Sequence, residues 1–406
     1  MAALAELALS REPEAARAGT DAIFRQVVEP MGDAFEPRLC DLYIRFFATL
    51  VGHARRKANW LDRRLAEIGL GSEHDLVRRA ERVRIVRPAR MGRVRKILVL
   101  SRVTLGADVA VTSVLLRKLL CRFPGAEVKL LGSAKAALLF AGDARVGSRE
   151  VNYPRGGGLL DRLAAWDRVV DAVRDETAGL QAGEYLVVDP DSRLTQLGML
   201  PVTEDDAGYC FFESRSFARP GCETLAELAA AWASEAFGGD AGEVHPWVSL
   251  PTALRAGGRW ASVNLGGGDN PGKRIGGDFE ERLLRGLRAA GWNIFLDTGD
   301  GGEETQRVEA LLERLADSGI EPWRGSLAGF GARIAASGLY IGYDSACQHL
   351  AAALAVPLVD IFTGYSSERM AVRWRPAGAG RVTMVVLDPH AVEPEAVLAR
   401  VLEAAR

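Results

Sequence analysis

Five cysteines, Cys40, Cys121, Cys210, Cys222 and Cys347, are odd in number and scattered, with no C-x-x-C pair and no histidine-flanked cluster at zinc spacing. That excludes a disulfide scaffold and a zinc-finger module, and it reads as reduced thiols in a cytoplasmic protein. No apolar run approaches the roughly 20 residues that cross a bilayer, and Met1 to Ser10 has no positive segment ahead of its short Ala/Leu run. Neither a transmembrane chain nor export by a standard signal is expected. Charge of one sign is not in excess either, since 51 Lys and Arg face 53 Asp and Glu for a net charge of -2. No global field therefore steers the protein toward nucleic acid or polycations. What is present is a globular composition, 48% hydrophobic and 26% charged over 406 residues. It rules out disorder and fibrous rods and leaves room for roughly two or three domains.

Residues 1–92 read as a helical extension without strands, because Leu4 to Ala18, Ala22 to Val28, Leu39 to Leu65 and Glu73 to Val83 carry apolar residues three and four apart. From Arg78 to Lys96 nine basic residues stand against the single acid Glu81. This stretch reads as a solvated helix end and linker, or as a patch for anionic lipid headgroups or a glycan phosphate. At Lys96 the pattern changes: KILVLS is too short for a helix and is followed by Gly106 and a helical stretch from Val109 to Phe123. Glu127 to Leu131 and Tyr185 to Asp189 continue as strands, with helices at Ala134 to Phe140 and Trp166 to Asp175. A Pro-, Gly- and charge-rich stretch near His245 to Gly258 precedes a second unit of the same style. Its strands are Trp260 to Leu265, Asn293 to Leu296, Leu339 to Tyr343 and Leu358 to Phe362, and its helices Phe279 to Ala290, Glu303 to Asp317, Ala346 to Leu354 and Pro394 to Ala405. The expectation is an α/β chain: a first Rossmann-like, doubly wound parallel-sheet domain over 93–250, a second over 251–406, and a cleft between them lined by strand carboxyl ends.

Two segments carry chemistry. In VNLGGGDNPGKRIGGDF the glycines Gly266, Gly267 and Gly268 end a strand and Lys273 stands ahead of the next helix. Glycines let backbone N–H groups approach phosphate oxygens and a lysine adds full charge, which suits an anionic ligand. The G-x-x-x-x-G-K-[ST] pattern fails, because Arg274 and Ile275 follow Lys273. A glycine turn with an incidental lysine explains the segment equally well when it is taken alone. In LYIGYDSACQHLAAAL a strand runs into Asp344, Ser345 and Ala346, which open a helix carrying His349. Asp344 or Ser345 would cap that helix, and two anion-ready helix starts in one half favour diphosphate binding over a cap and a core histidine. A rival is the D-x-D of Asp189, Pro190 and Asp191 at a strand end, a pattern that can hold a divalent metal and a diphosphate. Arg102 and Asn264 also end strands.

From Lys96 to Asp388 the chain resembles glycosyltransferase family 9, the bacterial heptosyltransferases and their relatives of GT-B fold. The carriers are KILVLSRVTLGAD with RFPGAEV downstream, NLGGGDNPGKR in the phosphate-loop position, and YIGYDSACQHLAAALAVPLVDIF. The resemblance implies a cytoplasmic, inverting, metal-independent enzyme that transfers a sugar from a nucleoside diphosphate sugar, ADP-heptose or related, to a glycan or glycolipid acceptor. It requires no cofactor, no nucleic acid partner and no metal, with peripheral contact at an anionic membrane as a further partner. Lys273, Asp344, Ser345, Ala346 and His349 would then surround the pyrophosphate and donor sugar, and Glu303 falls where a relative would contact the ribose. D-x-D becomes an ordinary strand-to-helix turn, with Asp189 and Asp191 as caps or acceptor-side contacts.

The family's catalytic Asp follows a glycine directly, whereas this chain reads Gly106, Ala107, Asp108. One extra helical residue turns a side chain by about 100 degrees, so Asp108 is the base if the turn absorbs the insertion, and an N-cap otherwise. A non-catalytic nucleotide-sugar-binding or assembly protein is the alternative from another class, and an interaction module built on residues 1–92 is a third.

Overall fold

The computed structural model describes residues 2–88, 93–239, 245–254, 257–267, 270–299, 301–388 and 391–406. They form two compact units, one of Met1–Val103, Leu115–Ala137 and Ala144–Val244, the other of Thr104–Val114, Leu138–Asp143 and His245–Arg406.

The first unit is built on five parallel strands: β1 (Lys96–Leu100), β2 (Glu127–Gly132), β3 (Val146–Glu150), β4 (Tyr185–Asp189) and β5 (Tyr209–Phe211). Their order, β3-β2-β1-β4-β5, reverses direction between β1 and β4. The second unit has six, β6 (Trp260–Asn264), β7 (Asn293–Asp297), β8 (Ile320–Trp323), β9 (Leu339–Tyr343), β10 (Leu358–Phe362) and β11 (Val382–Val386), in the order β11-β10-β9-β6-β7-β8. All of its pairs are parallel too. Here the order reverses between β6 and β9, so the ends of these two strands flank the crevice where doubly wound sheets take ligands. The strands legible as apolar runs are the central ones. β3, β5, β8 and β11 are edge or next-to-edge strands, short or half-exposed, and β3 (VGSRE) offers no apolar face to read.

The N-terminal helices, Ala2–Ala8, Pro13–Ile23, Pro37–Lys57, Asn59–Glu67 and Glu73–Val83, are not an appendage. Phe24, Tyr43, Phe47, Leu61, Leu65 and Leu76 share one buried core with Leu98 and Leu100 of β1, Val187 of β4 and Tyr209 and Phe211 of β5. Each helix contributes one apolar stripe that has no other surface to cover, so docking on the sheet removes it from water. Polar latches fix the fit: the Tyr43 hydroxyl donates to Gln196 Oε1 at 2.6 Å, and Arg64 pairs with Asp167 at 2.5 Å. Ser72 caps the last of these helices through a reciprocal box with Asp75.

The basic stretch is largely neutralised from within. Arg79 and Arg82 both bind Asp206, Arg84 binds Asp41, Arg95 binds Glu184, and Lys96 binds Glu127 and Glu176. Arg90 lies outside the described residues. A free local field of the size suggested by counting charges is therefore absent among the described residues.

Arg79 is the member that matters for stability. It is 2% exposed, donates to the Gly198 carbonyl and to Asp206, and lies 4.8 Å from the centre of the Tyr209 ring. Arg79→Met keeps the apolar stem and removes these charge-assisted bonds, each of which is worth roughly 1.5–3 kcal/mol. Asp206 keeps Arg82, so urea denaturation should show a loss of about 2 kcal/mol. An unchanged midpoint would mean that the latch contributes nothing.

Candidate functional site

Asn264 and Asp344 end β6 and β9, and the pairing of Asn264 with Gly342 brings the two ends side by side. Asn264 donates to Asp297 Oδ2 at 2.8 Å and accepts from the Ser345 hydroxyl at 3.2 Å and the Gly266 N–H at 3.3 Å. One amide thus holds the ends of β7 and β9 and the start of the glycine loop. Ser345 is the N-cap of the helix Ala346–Ala353, with φ at -154° and its oxygen accepting from the Cys347 N–H.

The Lys273 ammonium reaches the Asp344 carboxylate Oδ2 and lies 3.5 Å from the Asp344 carbonyl. The other carboxylate oxygen takes the Gln348 amide at 2.6 Å. The two side chains are only 20% and 10% exposed, so the pair is little screened by solvent. Lys273, Asp344 and Ser345 meet at the N-terminus of the helix that carries Ala346 and His349, where open N–H groups favour anions.

A Cβ on Gly266 would lie 2.1 Å from Glu304 Oε1, so the carboxylate packs directly on the loop backbone. Gly267 faces Asn270 and Lys273, each 3.1 Å from where its Cβ would stand, and Gly268 lies outside the described residues. Glu303 is exposed, whereas its neighbour Glu304 lies against both Gly266 and Gly299, its carboxyl pushed up by burial and by Asp297. An i, i+1 choice on a helix cannot be read from an unaligned sequence, since adjacent residues face about 100 degrees apart. Asn264 showed only its strand-end position and Gln348 no motif.

Gly106 approaches this helix closely, for a Cβ on it would stand 3.1 Å from the Ala346 Cα and 3.4 Å from His349 Cδ2. Asp108 is not the cap of a helix starting near Val109. The helix begins at Leu105–Ala107 behind Thr104, and Asp108–Thr112 forms a π turn in which the Ser113 N–H donates to the Asp108 carbonyl. A π turn accommodates one residue more than an α turn. The π turn follows Ala107 directly, and the helix Ser113–Arg122 continues from it. Asp108 is fully buried, and its Oδ1 accepts from the Thr112 hydroxyl at 2.8 Å.

The first unit has a polar cluster at its own reversal point. Asp189 accepts from the Ser192 N–H and from the Thr195 and Tyr209 hydroxyls, and burial raises it to about 6. Asp191, held at φ 68°, accepts from Ser214 at 2.6 Å and pairs with Arg215 at 3.3 Å, with Arg102 at 3.9 Å. Both acids of the D-x-D are committed to protein partners. Among the described residues no group of three His, Cys, Asp or Glu side chains is placed to hold a metal. Asp33 of the N-terminal helices reaches Arg215 at 3.5 Å, and Glu213, one oxygen of which has no partner, is raised to about 7 by burial and by Asp191. Glu213 and Arg215 belong to no sequence motif.

The two sheets and their helices are those of the GT-B glycosyltransferases. The structure is similar to E. coli heptosyltransferase WaaC with ADP, at 15% identity over 76% of this chain and 99% of that chain with a TM-score of 0.54. It is also similar to the family 9 glycosyl transferase of Veillonella parvula DSM 2008, at 14% identity over 77% and 96% with a TM-score of 0.58. A third likeness is E. coli ADP-heptose lps heptosyltransferase II, at 17% identity over 76% and 98% with a TM-score of 0.50. No curated protein matches by sequence. Residues 277–394 match the model of glycosyltransferase family 9 (heptosyltransferase). The match spans Asp344 to His349 and leaves Lys273 and Asp108 outside.

His349 supplies a pH prediction. Burial pushes its imidazole down to about 4, with Asp344 pulling upward and Lys273 downward. An unfolded chain takes up that proton near 6.5, so the contribution is present above 6.5 and lost as pH falls through about 4. In a proton–nitrogen NMR titration the His349 ring should remain neutral from pH 8 to 5.5; a midpoint near 6.5 would place it in water.

Proposed function

We propose that the chain transfers a sugar, heptose or a relative of it, from a nucleoside diphosphate sugar to a glycan or glycolipid acceptor, with inversion and without a metal. The observation that carries this reading is Lys273 beside Asp344 at the start of the helix Ala346–Ala353. It is a cation and a set of free N–H groups converging at the reversal point of the sheet. In this reading the diphosphate takes Lys273 from Asp344 and receives the N–H groups after Ser345, while Glu304 beside Gly266 suits the paired hydroxyls of a ribose. That the similar WaaC structure contains ADP supports a nucleoside diphosphate.

The acceptor hydroxyl attacks the anomeric carbon on the face opposite the diphosphate. The new C–O bond forms as the bond to the phosphate oxygen breaks, the proton goes to a carboxylate, and the charge leaves on the diphosphate. Asp108 is the carboxylate assigned to that proton, its backbone fixed by the π turn and its Oδ1 by Thr112. Arg102, Glu213 and Arg215 at the strand ends of the first unit suit a hydroxyl-rich acceptor. Peripheral contact with anionic lipid rests on the exposed Arg78, Arg87 and Arg93.

Asp108→Asn keeps size and hydrogen bonding but accepts no proton. It should bind ADP or UDP as the parent does and lose a factor of about 10² to 10⁴ in turnover; parental turnover would remove Asp108 from the chemistry. Lys273→Ala removes the cation and leaves Asp344 facing the ligand, so calorimetry should show ADP or UDP affinity falling about tenfold to a hundredfold. Asp344→Asn releases Lys273 and should tighten binding instead. Equal affinities in all three proteins would dissociate this pair from the ligand. Activity should persist in EDTA, and its loss on chelation with recovery in Mn²⁺ would contradict the metal-free mechanism.

A further inference from the structure

Beneath this site lies a carboxyl group with no partner. Asp360 is the third residue of β10 and stands beside Gly342 of β9. It is fully buried, and among the described residues neither of its oxygens has a hydrogen-bond partner. Two further orphans lie on the strand and helix that pack against β10. Gln348, also fully buried, gives its amide N–H to Asp344 while its Oε1 has no donor. Tyr340 sits two positions before Gly342, on the same face of the sheet, and its hydroxyl has no hydrogen-bond partner among the described residues.

A buried carboxylate without a partner is among the most costly groups a fold can hold, and the neutral acid much less so. Burial and the negative charge of Asp344 push the Asp360 carboxyl well above its usual range, against the pull of Lys273. On the elements packed against β10, Tyr340 of β9 and Cys347 and His349 of the helix are kept neutral at pH 7 by burial. Only the neutral acid has an O–H to offer, and Gln348 Oε1 is an acceptor in need of one.

We propose that Asp360 is a positioning residue of the diphosphate site: as a neutral acid it serves Gln348, Gln348 holds Asp344, and Asp344 sets where Lys273 presents its charge. Neutrality matters as much as the hydrogen bond. A second carboxylate facing Lys273 would leave the site net negative, and it would repel a diphosphate. The inference rests on the nucleotide reading of the site, and its test separates the two.

The state of Asp360 is read without any ligand. In carboxyl-carbon NMR of aspartate-labelled protein at pH 7, the resonance that Asp360→Asn removes should be that of a protonated acid; an ionised resonance overturns the proposal. Its action is read by calorimetry with ADP and UDP. Asp360→Asn, which keeps a donor, should bind within twofold of the parent, and Asp360→Leu, which has none, about tenfold more weakly. In a Gln348→Leu background Asp360→Leu should cause no further loss. Parental affinity in Asp360→Leu, or losses that multiply in the double variant, would overturn the relay. A parent that binds neither nucleotide would defeat the nucleotide reading and the positioning role with it, while the carboxyl resonance would still report whether the fold holds Asp360 neutral.

Discussion

The Asp344 carboxylate, shared between the Lys273 ammonium and the Gln348 amide, joins the end of β9, the turn Pro271–Lys273 and the helix Ala346–Ala353. A carboxylate this little exposed is tolerable only with its charge compensated and its oxygens occupied. Much of the local architecture follows from that requirement. Gly364, at φ 69°, lets the chain leaving β10 pass against the turn, since a Cβ there would lie 2.7 Å from the Gly272 backbone. Asn264 braces the neighbouring strand ends, and Ser345 caps the helix. Under the transferase reading, diphosphate binding exchanges one anionic partner of Lys273 for another, a differential effect and not the full attraction of a bare charge.

In the first unit the organising constraint is apolar. Helices of residues 2–83 have no core of their own and complete that of the sheet, so their stability is that of the unit and not separable from it. Their polar residues then meet the carboxyl ends of β4 and β5, where Asp33 joins Arg215 and the buried Glu213 lies near Cys40. The end of the sheet that holds ligands in doubly wound folds is thus bordered by the added helices. This gives the N-terminal region a place in acceptor recognition under the transferase reading.

A π turn stands at Asp108–Thr112, directly after Ala107. An α-helix transmits an added residue as a rotation of everything beyond it, whereas a π turn confines the extra residue to a single turn. Thr104–Val114 packs within the second unit, with Gly106 against Ala346, although the chain enters it directly from β1. Segment boundaries drawn from composition cannot anticipate this, because they follow the chain and not its contacts.

The sequence by itself determined the two parallel sheets, since KILVL, YLVVD, WASVN, LYIGY and LVDIF are apolar runs separated by helices and can only be central strands. It also placed Asp344 and Ser345 at a strand end and His349 on the helix that follows, because the apolar run LYIGY stops there. The edge strands, the choice of Glu304 over Glu303, the integration of the N-terminal helices and the internal pairing of Arg79, Arg82, Arg84, Arg95 and Lys96 were decided only by the tertiary structure. Each of these depends on partners tens to more than a hundred residues away, and periodicity registers only what one residue does to its near neighbours. Asp360 is the sharpest case: within LVDIF it breaks an apolar run, and only the fold shows that it is buried without a partner beneath a charged pair.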